Sequence, residues 1–179
     1  MHARALGKIK LPVVVRIPYG GGIGAVEHHS ESPEALFAHV AGLKVVSPPS
    51  NASDAYWMMQ QAVQSDDPVI FFEPKRRYWD KGEVDTESIP PGALHAAAVA
   101  RTGTDLTLAA YGPDGEGLPG AAAAAQEEGK SVEVVDLRSM SPPSTSTPSS
   151  VRREDPPPGR RPRGARLLRL RGPRSPPAS

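Results

Sequence analysis

Glu27-His28-His29-Ser30 is the stretch of this 179-residue chain whose residue types most plainly permit chemistry. Imidazole titrates near neutral pH, so one of these histidines, set in a cleft, could pass a proton or stabilise an anion. On an extended segment neighbours point to opposite sides, so the pair is not expected to serve one metal. His39 lies ten residues beyond His29 and supplies no His-x-x-x-His spacing, so zinc is not expected. The plain alternative is a polar loop histidine without a task. Asp66-Asp67 is a second candidate, because paired acids can ligate a hard cation. Two acids at a helix C-terminus oppose the helix dipole, so either a bound cation or a nearby arginine should compensate them, unless the turn is simply solvated.

The glycine-rich stretch Tyr19-Gly-Gly-Gly-Ile-Gly-Ala-Val-Glu27 follows a strand-like run, as phosphate-cradling loops do. It lacks the Gly-x-Gly-x-x-Gly pattern, since Glu27 stands at the third glycine, and no Lys-Ser/Thr closes it. A flexible loop that lets the backbone approach a ligand or a subunit is the better reading.

The elements that must position these residues alternate in type. Leu11–Ile17 is a β-branched apolar run, expected as a strand buried on both faces. Ser32-Pro33-Glu34 begins a helix that Gly42 stops, and Leu43–Val46 is a second strand. Asn51 or Ser53 caps a longer helix with an apolar stripe of Ala55, Met58, Met59, Ala62 and Val63, and Val69–Phe72 is a third strand. Strands alternating with helices predict an α/β fold with a parallel sheet. After the basic turn Lys75-Arg76-Arg77-Tyr78-Trp79, residues 80–92 read as a linker. Leu106–Tyr111, Ala121–Glu128 and Val132–Val135 then read as a β-α-β unit too small for a core of its own.

Charge divides the chain. Residues 1–141 hold 12 Lys+Arg against 18 Asp+Glu, a net of −6, whereas residues 142–179 hold 9 Arg against 2 acids, a net of +7, and 10 of the 21 prolines. Such a tail buries too little apolar surface to order itself, so disorder is expected there. It suits contact with phosphate backbones but lacks aromatics for base stacking. The absence of cysteine excludes disulfides, cysteine-ligated metals and a cysteine nucleophile. No apolar run nears the roughly 18 residues of a membrane span, and residues 1–12 lack a signal-peptide core, so a cytoplasmic location is expected.

Four blocks, in order, carry a family resemblance: Pro12-Val-Val-Val-Arg-Ile-Pro-Tyr-Gly20, Glu27-His-His-Ser-Glu-Ser-Pro-Glu-Ala-Leu-Phe-Ala-His39, Gly42-Leu-Lys-Val-Val-Ser-Pro48 and Asp67-Pro-Val-Ile-Phe-Phe-Glu-Pro74. On these the chain resembles the β subunit of the thiamine-diphosphate-dependent 2-oxoacid dehydrogenases. The Ser32–His39 and Phe71–Pro74 blocks make it more similar to the branched-chain type than to the pyruvate type. The resemblance covers about residues 1–112 and 121–142.

The resemblance implies three parts: the C-terminal part of a pyrimidine-binding domain (1–85), a linker with the first β-α-β of a transketolase C-terminal-type domain (86–141), and the tail (142–179). It implies oxidative decarboxylation of branched-chain 2-oxoacids, with acyl transfer to the lipoyl groups of an acyltransferase core. The implied assembly is an α2β2 heterotetramer. Thiamine diphosphate is shared with the α subunit, which holds the magnesium. The family's active-site histidine aligns with His29, for proton transfer and reductive acylation. A potassium site is implied at the carbonyls of Val14 and Ala62 and at Ser65 and Asp67, which stand where the family has Asp and Asn side chains. No cofactor-binding residue is implied here, because the family's glutamate lies upstream of the aligned region.

A one-base shift of GC-rich codons would turn residues 160–167 into a family-like strand and would also restore 114–120 to an apolar pattern. The tail is accordingly read as a frameshift product, and this fragment by itself is expected to be inactive. Neither a membrane nor a nucleic-acid partner is expected. The alternatives are a pyruvate or acetoin dehydrogenase β subunit, or a non-catalytic binding protein whose Arg-rich tail contacts nucleic acid.

Overall fold

The computed structural model describes residues 9–48, 51–88, 94, 96–112, 117–141 and 168–170. Strands β1 (Val14–Tyr19), β2 (Lys44–Val46) and β3 (Val69–Pro74) are mutually parallel, with β3 between the other two. Helices α1 (Glu34–Ala38) and α2 (Ala52–Val63) make the crossovers. β3 is the central strand because Val69-Ile-Phe-Phe72 is apolar at every position and can be covered on both faces.

Alternation along β3 then divides the core in two. Val69 and Phe71 face α2 and pack with Trp57, Met58 and Ala62. Ile70 and Phe72 face the other way, toward Tyr19 and Phe37, whose rings meet Phe72 edge-on at 5.2 and 5.7 Å. Asn51 caps α2, its side chain accepting from the Asp54 N–H at 2.7 Å. The buried stripe of α2 runs through Asp54, Trp57, Met58 and Ala62, rotated from the expected one, and Val63 is exposed.

β1 departs from expectation. It is the outer strand of its sheet, and Val13 and Val15 are 46% and 43% exposed, so the run is covered on one edge only. The fourth strand, β7 (Ser139–Ser141), lies antiparallel on β2, although it belongs to the segment assigned to the second unit. The expected linker is strapped to α2: the Trp57 indole donates to the Asp85 carbonyl at 2.9 Å, and buried Leu94 donates its N–H to Gln61 Oε1 at 2.7 Å.

The second sheet has the order β4 (Ala98–Arg101), β6 (Val132–Asp136), β5 (Leu106–Ala110), β8 (Leu168–Leu170). β5 and β6 are parallel and joined by α3 (Gly117–Glu127), as the β-α-β pattern requires. Ala122 of α3 packs on Leu108, Val132 and Val134. β4 and β8 are antiparallel additions without a sequence signal. β8 falls inside the tail for which disorder was expected. The rest of that expectation, over residues 142–167 and 171–179, lies outside the described residues, as do residues 114–116 of the stretch read as out of frame.

Candidate functional site

His29 stands where β1 leaves its sheet. The chain turns at Gly20, Gly22 and Gly24, all at positive φ (81°, 91° and 73°), a conformation that side chains resist and glycine accepts. The Gly20 N–H donates to the Glu31 carbonyl at 2.8 Å, and Ser30 Oγ donates to the Ala25 carbonyl at 3.1 Å, so the loop closes on itself. Within it, Glu27–His29 forms one turn of 3-10 helix rather than an extended segment. The two imidazoles therefore do not diverge: their rings meet edge-to-face at 5.1 Å. Both histidines are exposed.

A second loop supports the first. After β3, Lys75–Arg77 forms another 3-10 turn, and Lys75 Nζ donates to the main-chain carbonyl of His29. A side chain at Gly22 would reach Arg76 at 3.4 Å, so the two loops pack closely. The arrangement fixes the backbone of His29 from beneath and leaves its imidazole open to solvent. Such a group can exchange protons with a partner brought to it. Lys75 had no signal of its own, because the contact spans 46 residues of sequence.

The residues aligned with a potassium site come together in part. Ser65 Oγ accepts from Lys44 Nζ at 2.8 Å and donates to the Asp67 carbonyl at 3.0 Å, and Lys44 Nζ lies 3.2 Å from Asp67 Oδ2. The Ala62 carbonyl accepts from the Ser65 N–H at 3.1 Å. Val14 sits beside Val69 on the neighbouring strand. An ammonium already serves the side-chain oxygens, so this donor set does not fit a further monovalent cation. Among the charges that offset Asp66-Asp67 are lysines, Lys44 on Asp67 and Lys10 on Asp66 at 3.1 Å. Among the described residues no three His, Asp or Glu side chains converge as a metal site would require.

The described residues also line a pocket of about 410 Å³ between α2 and the carboxyl ends of β1 and β3, which includes Arg16, Glu73, Arg77, Tyr78 and Met59. His29 is not part of its wall. Glu73 organises the polar side: Arg16 Nε donates to one carboxylate oxygen and the Tyr78 hydroxyl to the other at 2.8 Å. Partial burial and that hydrogen bond push the Tyr78 phenol up to about 12. The pocket is thus a neutralised cluster beside the loop pair rather than a continuation of it.

Comparison with known proteins connects the fold to a family. Residues 1–80 match the transketolase pyrimidine binding domain and residues 95–155 the transketolase C-terminal domain. The chain is 58% identical over 142 residues to a pyruvate dehydrogenase E1 component subunit beta of Leifsonia xyli subsp. xyli, covering 79% of this chain and 42% of that protein. It is 49% identical over 142 residues to a 3-methyl-2-oxobutanoate dehydrogenase subunit beta of Mycobacterium tuberculosis, covering 79% and 40% respectively. Among solved structures, a split-gene transketolase described as an inactive beta4 tetramer superposes with a TM-score of 0.60 at 22% identity, over 79% of this chain and 46% of that one. A transketolase of Pichia stipitis does so at 0.57 and 17%, over 73% and 19%. The chain therefore spans about two fifths of the length of these curated relatives. With its two transketolase-type domain matches and its dehydrogenase relatives, the chain is similar to the β subunits of 2-oxoacid dehydrogenases over about two fifths of their length.

Proposed function

We propose that the chain is part of the β subunit of the decarboxylating component of a 2-oxoacid dehydrogenase complex, acting on branched-chain 2-oxoacids and passing the acyl group to lipoyl groups. The observation that carries this reading is the placement of His29. It lies at the carboxyl end of a parallel sheet, on a turn held by Lys75 from the neighbouring loop, with an exposed imidazole. Open α/β sheets bind their ligands at the carboxyl ends of the strands, which supports the location.

Thiamine diphosphate, bound at the interface with an α subunit that also holds magnesium, would supply the carbanion chemistry. This chain's part is to hold His29 where it can deliver a proton to the departing or arriving acyl group. Lys75 keeps the turn from rotating, and the glycines of residues 20–24 let it approach the subunit interface. The partners under this reading are an α subunit, in an α2β2 heterotetramer, and the lipoyl acyltransferase core, in the cytoplasm. No helix among the described residues is long and apolar enough to cross a membrane.

Pyruvate is the second reading for the substrate, favoured by the 58% identity to a pyruvate-type relative. Acetoin has no comparable support. Contact with nucleic acid through the Arg-rich tail is not favoured, because the relatives are dehydrogenase subunits.

The chain by itself should release no CO2 from branched-chain 2-oxoacids. In a version completed with the upstream residues of a relative and paired with an α subunit, His29→Ala should lower acyl transfer to lipoamide about 100-fold or more. An unchanged transfer rate would remove His29 from the mechanism. Comparing 3-methyl-2-oxobutanoate with pyruvate in the same assay decides the substrate.

A further inference from the structure

We infer that His28 is a positioning residue, whose ring, set edge-to-face against that of His29, holds the His29 imidazole in the orientation from which it passes a proton. The inference deepens the assignment of His29 to acyl transfer and rests on it.

His29 is held at its main chain and not at its ring. Its N–H donates to the Val26 carbonyl at 3.0 Å, and its own carbonyl accepts from Lys75 Nζ. Those bonds fix the direction in which the side chain leaves the turn, but they leave its two torsions free. Among the described residues neither imidazole has a hydrogen-bond partner, and both histidines are exposed. An exposed side chain in that state changes rotamer within nanoseconds. Proton transfer needs the donor atom within hydrogen-bond reach of its acceptor, so a ring that turns away for much of the time serves poorly.

The ring of His28 is the contact that limits this rotation. The two centroids lie 5.1 Å apart at an interplanar angle of 61°, where the electropositive edge of one ring is attracted to the electron-rich face of the other. On an extended segment the neighbours would point to opposite sides, and the 3-10 turn Glu27–His29 is what brings them together. The loop around the pair is closed by two bonds, Ser30 Oγ to the Ala25 carbonyl at 3.1 Å and the Gly20 N–H to the Glu31 carbonyl at 2.8 Å. What the contact asks of residue 28 is a flat ring and not a proton. Phenylalanine supplies the ring without titrating, and alanine supplies neither.

The test begins with the full chain. Nuclear magnetic resonance of histidine-labelled protein reports the His29 χ1 torsion through its three-bond couplings, the His29 signals being identified by their loss in His29→Ala. Wild type and His28→Phe should show one dominant rotamer at His29, and His28→Ala averaged couplings, all with the same circular dichroism spectrum. In the version completed with upstream residues and paired with an α subunit, His28→Ala should lower kcat for acyl transfer to lipoamide about 3- to 10-fold, with the KM for lipoamide unchanged. His28→Phe should restore the rate. Couplings at His29 that are the same with alanine as with histidine would overturn the inference. So would a His28→Ala rate equal to wild type, or a His28→Phe rate as low as that of His28→Ala. With His29→Ala inactive, these outcomes remove His28 alone, whereas an active His29→Ala removes the assignment of His29 as well.

Discussion

Lys44 supplies the positive charge at a turn that carries paired acids. Its ammonium sits 2.8 Å from Ser65 Oγ and 3.2 Å from Asp67 Oδ2 at the turn between α2 and β3, with its side chain 18% exposed. The turn brings an acid and a helix C-terminus together, an arrangement that is unfavourable without a positive charge. A tethered cation needs no free ion to be present. Lys44→Met should therefore lower stability by about 1–3 kcal/mol, because it strands a partly buried carboxylate and a hydroxyl. Replacing sodium by potassium should leave the urea midpoint of the wild type unchanged and raise that of the variant. A wild-type midpoint that climbs with potassium would show that the lysine does not stand in for the ion.

Among the elements, the crossing between the two sheets is made by close backbone approach, and Gly112 controls it. At φ 59°, just after β5, its Cα faces the buried pair Tyr19 Oη and Ser47 Oγ, which are 2.8 Å apart. A Cβ there would come within 2.2 Å of the tyrosine oxygen. Gly20 offers a control, with φ 81° and open space around the same position. Gly20→Ala should cost about 1 kcal/mol, from backbone conformation alone. Gly112→Ala should cost about 2 kcal/mol or more, because the Tyr19–Ser47 bond must also give way. Equal losses in thermal unfolding would mean that the crossing is not constrained there. This contact was not legible in the sequence, since Tyr19, Ser47 and Gly112 are far apart along the chain. The strands β1, β2, β3, β5 and β6 were legible from their apolar runs, although Val15 of β1, expected to be buried, is 43% exposed. β7 was not, because Ser139-Met140-Ser141 is a strand only through its pairing with β2. At the site, the residues alone left the His28-His29 pair and a loop histidine without a task open, and the family resemblance was what pointed to His29; the turn that carries it and the lysine beneath it come from tertiary contact.

At the scale of the molecule, a single arginine joins the two sheets. Arg138 lies between β6 and β7 in the left-handed region, φ 53°, and its carbonyl accepts from the Ser47 N–H at 2.9 Å. Its guanidinium holds Asp54 of α2 with two bonds of 3.1 and 2.7 Å and Asp136 of β6 at 3.2 Å. Burial raises the Asp136 carboxyl above its ordinary value, and Arg138 offsets only part of that. The folded state therefore binds this proton more tightly than the unfolded chain does. The stability it contributes is fully present below the ordinary aspartate value and is lost as pH rises through the raised one. Other carboxylates act in the opposite sense, as Asp85 does, lowered by hydrogen bonds from Glu87 and Ser88, so the total curve does not isolate the effect. The difference between the wild type and Asp136→Asn does, because the asparagine cannot titrate. That difference in unfolding free energy should shift against the wild type as pH rises above the ordinary aspartate value and through the raised one. A difference that is flat, or that moves toward the wild type, would mean that the pull of Arg138 outweighs burial and that the joint between the sheets is an ordinary ion pair.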